Sequence, residues 1–222
     1  MLEQLKVLTK ERNKLFLAEY NRIHGTNFKG ILKFDMDDVL AQFDIGFLSV
    51  YNEKYNDSLC PSDMFTWDMT QYVKKECGTA VYELMKHPGL FRYLQPTPYS
   101  QDVIERLHKK GFLILIVSDS PRGHAHNEAI SCDSTNPADD KRAWLEEYFP
   151  MIPSNCIFFG SQKMFVTGDV LIDDKPETFH YHEQIGMECI LMDRPYNREF
   201  DTTKRAYNLL EVEKMIDTMF SL

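Results

Sequence analysis

The sequence predicts an α/β fold in which a mostly parallel sheet is covered by helices on both faces. From Gly30 onward, short apolar and partly β-branched runs alternate with helix-like segments such as "SQDVIERLHKKG" and "KRAWLEEYF". The chain has 222 residues, of which 43% are hydrophobic, so it can bury a sizeable core. The predicted strands are "ILKF" (31–34), "FLILIV" (112–117), "CIFF" (156–159), "VLI" (170–172) and "CILM" (189–192).

The first 27 residues precede the first predicted strand and form an N-terminal helical extension. Apolar residues recur among charged ones at roughly helical spacing over residues 2–24, and Gly25 is a helix stop signal. The apolar positions include Leu5, Leu8, Leu15 and Ile23. We expect this helix to pack on the outside of the domain or at a partner.

One long interval interrupts the alternation of strands and helices. Between Asp44 and Pro98 there is no buried strand pattern, but helical pieces such as "IGFLSVYNEKYN" and "ECGTAVYELMKH" with turn signals between them. We therefore predict a small helical insert directly after the first strand. The predicted units are the extension (1–27), a core made of residues 28–44 and 98–222, and the insert (45–97).

Composition limits the classes of function. A net charge of −9 argues against stable nucleic-acid binding, which needs a basic surface, but it does not exclude a small anionic substrate. Five cysteines without CxxC spacing indicate thiols in a reducing compartment. No apolar run approaches the roughly 18 residues of a membrane span, and no signal-peptide core precedes the domain. We expect a cytoplasmic protein that does not bind membranes, and a homodimer is one open possibility.

Small polar and acidic residues follow three of the predicted strands. "ILKF" runs into Asp35 and Asp37, "FLILIV" runs into Ser118, and "VLI" runs into Asp173 and Asp174. The carboxyl ends of parallel strands form the ligand-binding edge of an open α/β sheet, so these groups are expected to converge there. An Asp cluster that only caps the next helix is the alternative for "DMDD" taken alone.

Several carboxylates at one edge need a cation, and oxygen ligands select a hard ion, most simply Mg²⁺. The combination is typical of phosphoryl transfer. Asp35 can attack phosphorus, and Asp37 can protonate the leaving oxygen and later deprotonate water. The hydroxyl of Ser118 can hold phosphate oxygens, and a lysine is needed to balance charge. Lys141 is the first candidate for that lysine and Lys175 the second.

Four motifs in this order make a family resemblance visible: "DMDDVLA" (35–41), "VSDSP" (117–121), "DDKRAWLEEYFP" (139–150) and "LIDDKPE" (171–177). They resemble the motifs of haloacid dehalogenase (HAD) superfamily phosphatases, and "AQFDIGFL", "HPGLFRYLQPTP" and "DRPYN" resemble the 5'(3')-deoxyribonucleotidase family within it. The resemblance covers roughly residues 30–200. It implies a Rossmann-like core with a helical cap formed by the insert.

The resemblance also implies roles for the residues that match the motifs. Asp35 is the expected nucleophile, Asp37 the acid/base, Ser118 a phosphate ligand and Lys141 the motif III lysine. The expected magnesium ligands are Asp35, Asp37 through its backbone carbonyl, and Asp173 or Asp174; the choice between the last two stays open.

Substrate-binding residues are expected around the cap. Phe43 matches the aromatic residue that stacks on the base in this family. Trp67 is a candidate for the cap wall, with Phe47 and Phe65 as weaker candidates. Ser120 lies in the second motif and Arg122 directly follows it, so both are expected within reach of the substrate's phosphate or sugar.

The predicted function is a Mg²⁺-dependent phosphatase that hydrolyses (deoxy)nucleoside monophosphates through an aspartyl-phosphate intermediate, and the resemblance favours pyrimidine deoxynucleotides as substrates. The alternatives are a HAD phosphatase for another small phosphorylated metabolite, a phosphatase of nucleic-acid 3'-ends, and a non-catalytic binding module that kept the fold. His124 and His126 could indicate a transition-metal site, although a solvent-exposed loop is the simpler interpretation. "HYHE" (180–183) predicts a surface helix.

Overall fold

The centre of the molecule is a sheet of parallel strands. The computed structural model describes residues 2–122 and 136–221. The strands are β1 (Gly30–Phe34), β2 (Phe112–Ser118), β3 (Ile157–Phe159), β4 (Val170–Asp173), β5 (Glu188–Met192) and β6 (Arg205–Ala206). Their order is β3-β2-β1-β4-β5-β6, and every adjacent pair is parallel. The predicted α/β class is confirmed, with the two-residue strand β6 as an addition that the sequence pattern did not indicate.

Helices cover the sheet. They are α1 (Leu2–His24), α2 (Phe43–Tyr55), α3 (Ser100–Lys109), α4 (Pro137–Tyr148), α5 (Pro176–Gln184) and α6 (Leu209–Met219). All residues of β1 and β2 are buried, which explains why these strands read as continuous apolar runs rather than alternating ones. Lys33 is the polar exception in β1 and is fully buried.

The insert region contains one α-helix followed by short 3₁₀ segments. The latter are Pro61–Asp63, Met69–Gln71 and Gly78–Lys86. The helical piece predicted at "ECGTAVYELMKH" is present as the last of these segments, in the form of a 3₁₀-helix. Its buried residues Val81 and Leu84 are three positions apart, which suits the three-residue turn of a 3₁₀-helix. The helix α2 begins at Phe43, two residues before the predicted start of the insert. The boundaries of the extension, core and insert stay predictions.

The composition of "SCDSTNPADD" (131–140) predicts an exposed loop, but its last four residues belong to a helix. The helix α4 begins at Pro137, and the side chain of Asn136 accepts a hydrogen bond from the backbone N–H of Ala138 at 3.3 Å. Proline at the first helical position and two aspartates in the first turn favour this start. Lys141 is consequently held by a regular helix.

The helix α1 is attached to the core at the end of the sheet where strands begin. The buried side chain of Asn13 donates hydrogen bonds to the carbonyl of Gly168 (2.6 Å) and to Asp169 Oδ1 (3.1 Å), just before β4. Near β5, a Cβ added to Gly186 would lie 2.8 Å from the backbone nitrogen of Lys6, so the helix approaches this glycine closely. Among the described helices, none is long and apolar enough to cross a membrane.

Candidate active site

Three strand ends come together at one edge of the sheet. Phe34, the last residue of β1, is paired with Ile116 of β2 and with Ile172 of β4. Asp35 follows β1 directly, and its backbone N–H donates a hydrogen bond to Ile172 O at 2.9 Å. Because parallel strands in register end side by side, Ser118 and Asp173 flank Asp35. The sequence pattern placed these groups at the same edge, and the structure brings them together.

The carboxylates of Asp35, Asp173 and Asp174 form a buried cluster. Each offers an oxygen, and these oxygens lie within 4.8 Å of one another. The pKa of Asp174 is raised well above its ordinary value by burial, with further contributions from the charges of Asp173 and Asp35. Burial also raises the pKa of Asp173. Oxygen donors under mutual repulsion in a buried place fit a hard divalent ion such as Mg²⁺.

Lys163 is a residue of this site that the sequence analysis missed. Its Nζ lies 2.7 Å from Asp35 Oδ2 and 2.6 Å from Asp173 Oδ2. Burial would lower the pKa of this lysine, but the two carboxylates outweigh burial and raise it, so the side chain stays charged. The sequence feature that could have indicated Lys163 is its position in the connection between β3 and β4.

Asp37 is paired with Lys141. The Nζ of Lys141 donates to Asp37 Oδ2 at 2.6 Å and to Ser118 Oγ at 3.3 Å. Burial raises the pKa of the Asp37 carboxyl above its ordinary value, and the charge of Lys141 opposes that rise. The other oxygen of Asp37, Oδ1, is buried and has no hydrogen-bond partner. This carboxyl is therefore bound by the lysine and is not part of the Asp35, Asp173 and Asp174 cluster, so the predicted contact with a metal falls to its backbone carbonyl.

A layer of polar residues behind the cluster orients Asp38 and Asp174. The hydroxyl of Tyr196 lies 2.9 Å from Asp38 Oδ2 and 2.5 Å from Asp174 Oδ2. Arg194 donates from Nε to the backbone carbonyl of Asp38 at 2.8 Å. Asp38 has a φ of 54°, in the left-handed region, so these contacts hold a strained backbone position. Tyr196 and Arg194 belong to "DRPYN", which gives this part of the sequence a structural purpose.

A cavity of about 320 Å³ opens onto the carboxylates. This volume lies in the range of small-molecule sites. Its lining contains acidic and basic side chains, among them Asp35, Asp37 and Lys163, and also large apolar side chains. The apolar lining residues, called here the apolar wall, include Phe43, Met64, Trp67, Met69, Met85 and Phe91. The cavity thus offers contacts to a charged group and to an aromatic or apolar one.

Phe43 and Trp67, two predicted substrate-binding residues, both line this cavity. Phe43 is 7% exposed and its ring is stacked on Phe91, with centroids 5.6 Å apart and planes 11° apart. Trp67 is 49% exposed and packs edge-on against Tyr196. The weaker candidates do not line the cavity: Phe47 is fully buried in the core, and Phe65 is exposed. The two lining rings, those of Phe43 and Trp67, offer flat apolar surfaces to a ligand ring.

The remaining predicted residues lie at different distances from the chemistry. Ser120 lines the cavity, and its Oγ is buried without a hydrogen-bond partner. This hydroxyl can therefore donate a hydrogen bond to an oxygen of a ligand. Lys175 also lines the cavity, with its Nζ 5.0 Å from the centroid of the Trp67 ring. Arg122 is exposed and is not among the lining residues. The residues His124 and His126 lie outside the described part of the chain.

Proteins with similar sequences carry related descriptions. A 5'(3')-deoxyribonucleotidase of Clostridium acetobutylicum is 33% identical over 191 residues, which cover 86% of this chain and 97% of that protein. A 5'(3')-deoxyribonucleotidase of Bacillus subtilis is 29% identical over 191 residues, covering 85% and 99% of the two chains. The two alignments leave 14% and 15% of this chain uncovered.

Solved structures share the fold. A haloacid dehalogenase-like protein of unknown function from Agrobacterium tumefaciens superposes with a TM-score of 0.57 at 14% identity, covering 87% of this chain and all of that one (100%). A putative phosphoglycolate phosphatase from Lactobacillus delbrueckii gives a TM-score of 0.58 at 14% identity, covering 86% and 99%. At this identity the likeness concerns the fold alone.

A family model described as 5' nucleotidase, deoxy (pyrimidine), cytosolic type C protein matches residues 29–220. The match includes every carboxylate and lysine of the site. The predicted resemblance to HAD phosphatases of the deoxyribonucleotidase type is confirmed, and so is the predicted class of enzyme, a phosphoric monoester hydrolase of the 5'-nucleotidase type. The chain belongs to the 5' nucleotidase, deoxy (pyrimidine), cytosolic type C family.

Proposed function

We propose that this protein hydrolyses deoxynucleoside monophosphates, with a preference for pyrimidine bases, through a phosphorylated Asp35 and with the help of Mg²⁺. The observation that carries the proposal is the cavity itself. Asp35 and Asp37 are two residues apart, and each is bound by its own buried lysine. Both line a cavity that is also lined by the aromatic side chains of Phe43, Trp67 and Phe91. Phosphate fits beside the carboxylates and lysines, and a base fits against the aromatic side chains.

Asp35 is the proposed nucleophile. Its Oδ1 accepts a hydrogen bond from the backbone N–H of Met36 at 2.7 Å and its Oδ2 contacts Lys163, so the carboxylate is held in one orientation. Its oxygen forms a bond to phosphorus, and the bond between phosphorus and the nucleoside oxygen breaks. The product of this step is an aspartyl-phosphate and a nucleoside.

Asp37 is the proposed acid and base. A raised pKa allows its carboxyl to carry the proton that the leaving nucleoside oxygen takes up. The resulting carboxylate then removes a proton from a water molecule that attacks the phosphorus of the aspartyl-phosphate. The bond between phosphorus and Asp35 breaks, inorganic phosphate leaves, and Asp37 is protonated again. The lysine beside it, Lys141, stabilises the carboxylate between the two steps.

The groups that hold the phosphate are donors at the same edge. Lys141 and Ser118 lie 3.3 Å apart and can both face a phosphate oxygen, and Ser120 adds a buried hydroxyl with no other partner. Fixed donors of this kind stabilise the negative charge that develops during phosphoryl transfer. Their burial excludes water, which strengthens each interaction.

Asp35, Asp174 and the backbone carbonyl of Asp37 would hold the magnesium ion, with Asp173 beside them. When bound, Mg²⁺ neutralises the repulsion between carboxylates and phosphate. The fit rests on the carboxylate cluster of three buried acidic groups, of which Lys163 contacts two, Asp35 and Asp173. Enzyme treated with a chelator should be inactive and should regain activity with Mg²⁺. Full activity in excess chelator would contradict this part of the proposal.

The substrate preference rests on the apolar wall and on the relatives. Phe43 and Trp67 offer faces on which a base can stack, and stacking itself does not distinguish one base from another. The proposed preference for a pyrimidine deoxynucleotide is supported by the family description and by relatives described as 5'(3')-deoxyribonucleotidases. The cavity volume of about 320 Å³ lies in the range of small-molecule sites.

A phosphate-release screen tests the proposal. The panel should contain 5'- and 3'-monophosphates of deoxyribonucleosides and ribonucleosides, sugar phosphates, phosphoglycolate and an oligonucleotide with a 3'-phosphate. The highest kcat/KM is expected for a pyrimidine deoxynucleoside monophosphate. A higher value for a sugar phosphate or for the oligonucleotide would overturn the substrate assignment, while the phosphatase chemistry would stand.

We also propose a cytoplasmic location. Among the described residues, Cys60, Cys77, Cys156 and Cys189 are free thiols, a pattern typical of reducing compartments. Cell fractionation followed by detection with an antibody tests the location. Recovery of the protein from the extracellular medium would contradict it.

A further inference from the structure

The helix α1 presents a row of large apolar side chains to solvent. Their exposed fractions range from 38% for Leu5 to 72% for Leu15. The row, named here the α1 stripe, consists of Leu5, Leu8, Leu15, Phe16 and Ile23. The opposite face of the helix holds the buried Asn13 and Leu17. The stripe is therefore a second apolar face, in addition to the one that attaches the helix to the core.

Two charged residues lie along the stripe and complete the spacing of a helix–helix seam. Positions 5, 8, 12, 15 and 19 follow one another in steps of three and four, which is the pattern that pairs two helices along a common line. Two of these positions are charged and of opposite sign, namely Arg12 and Glu19. The charges divide the apolar row into segments and so restrict which partner it can accept.

The stripe is complementary to itself when two copies run antiparallel. With the twofold axis between Leu15 and Phe16, residues whose numbers add to 31 face each other. Arg12 of one copy then meets Glu19 of the other, and this pair occurs twice. Four of the five apolar residues match in the same register: Leu8 meets Ile23 and Leu15 meets Phe16, while Leu5 faces Thr26, just beyond the helix. A parallel pair would instead bring each charge opposite its own kind.

We propose that two copies of this chain associate through their α1 stripes as an antiparallel helix pair. Such an interface is isologous, because the same patch serves on both subunits. In the single chain Glu19 is bound to Arg22 at 2.6 Å, but both side chains are largely exposed, 55% and 71% respectively. An exposed ion pair contributes little to stability, so exchanging it for the pair with Arg12 costs little.

The proposed interface lies away from the candidate active site. The contacts of α1 with Gly168 and Gly186 are next to the beginnings of β4 and β5, whereas Asp35 and Asp173 lie at the ends of strands. The cavity therefore stays open in the dimer. The helix also precedes residues 29–220, the part that the family model matches, so the family likeness supplies no partner for the stripe.

Sedimentation velocity of the protein at about 0.1 mM measures its mass in solution and so tests the proposal. At that concentration, a Kd near 1 μM would leave most chains paired. A dimer is expected. Leu15→Asp, which places charges at the twofold axis, should give a monomer. The matched control is Val7→Asp, since Val7 is 54% exposed on the same helix but outside the stripe. Circular dichroism should show that both variants are folded.

A charge exchange tests the register. Arg12→Glu alone should raise the dissociation constant by about 2- to 30-fold, because two favourable pairs become repulsive. Glu19→Arg alone should do the same, and the double variant should restore the wild-type value. A wild-type monomer, a dimer that survives Leu15→Asp, or a double variant weaker than both single variants would each overturn the proposal. A wild-type monomer would mean that the α1 stripe does not bind a second copy of this chain.

Discussion

The Nζ of Lys163 lies between the carboxylates of Asp35 and Asp173, 2.7 Å from one and 2.6 Å from the other. A single buried ammonium group thus bridges the end of β1 and the end of β4. Removing it would leave two carboxylates without their common counter-charge in a place that water reaches poorly. Breaking a buried ion pair by removing one partner is far more costly than the net worth of the pair.

The first prediction follows from that bridge. Lys163→Gln should lower kcat by about 10²- to 10³-fold, the range seen when one fixed donor to a developing negative charge is removed. Lys175→Gln is the matched control, because Lys175 also lines the cavity but contacts the Trp67 ring instead of a carboxylate. Steady-state phosphate release measures both variants. A similar loss in the control would argue against a special role for Lys163.

How far the sequence predicts this site depends on how local each signal is. Asp35, Ser118 and Asp173 follow apolar strands directly, and the geometry of a parallel sheet then brings their positions together. Lys163 lies in "GSQKMF", which has no periodic pattern, and its contacts depend on how the chain returns from β3 to β4. That path is a tertiary property, so no local rule selected this lysine over Lys175.

The same reasoning applies to the fold. Long apolar runs such as "FLILIV" identify buried strands because both faces of the sheet are covered. The strand β6 has two residues and no apolar run, and its pairing depends on β5. In α5 the sequence "HYHE" has no apolar stripe, yet His182 is buried, because a buried lysine in β1 provides a partner 149 positions away. Signals that need such a distant partner are invisible in a local window.

The second prediction separates the two aspartates. Asp35→Asn should abolish turnover, because an amide cannot attack phosphorus, and the fold should remain intact by circular dichroism. Asp37→Asn should lower turnover of a nucleotide by about 10²- to 10⁴-fold through loss of acid and base catalysis. With p-nitrophenyl phosphate, whose leaving group needs no proton, this variant should release one rapid equivalent of p-nitrophenolate and then stall as an aspartyl-phosphate.

Rapid-mixing absorbance measurements detect that burst. Asp35→Asn is the control, since a chain without the nucleophile should show none. A slow release without a burst in Asp37→Asn would mean that the acid/base assignment is wrong. Substantial turnover by folded Asp35→Asn would instead remove the nucleophile assignment.

The third prediction concerns the base. Phe43→Ala should raise KM for a nucleotide by about 5- to 150-fold, since a stacked base is stabilised by roughly 1–3 kcal/mol. Hydrolysis of p-nitrophenyl phosphate, which carries no base, should change much less. The matched control is Phe65→Ala, because Phe65 lies in the insert, is 61% exposed and does not line the cavity. Equal losses with both substrates would mean that Phe43 only packs against Phe47 and Phe91.

The last prediction concerns a buried pair below the site. The Nζ of Lys33 lies 3.2 Å from Nε2 of His182 and 3.0 Å from the carbonyl of Val166, just after the turn that carries Lys163. The Nδ1 of His182 lies 2.8 Å from the carbonyl of Thr178. The imidazole must therefore donate from Nδ1 and accept at Nε2, which is the neutral form. Burial, and then the charge of Lys33, lower the pKa of His182 to about 4.

The consequence is a loss of stability in acid. Between the ordinary pKa of 6.5 and about 4, the unfolded chain binds a proton at His182 that the folded chain refuses, so the free energy of unfolding falls as pH is lowered through this window. The full effect is about 3 kcal/mol, at roughly 1.4 kcal/mol per pKa unit.

His182→Gln can keep both hydrogen bonds without titrating. Urea unfolding at pH 7 and pH 4.5 should therefore show a smaller loss for the variant than for the wild type. His180→Gln is the control, because His180 is exposed on the same helix and should leave the wild-type slope unchanged. Identical pH dependence in wild type and His182→Gln would show that the imidazole is not held neutral by Lys33.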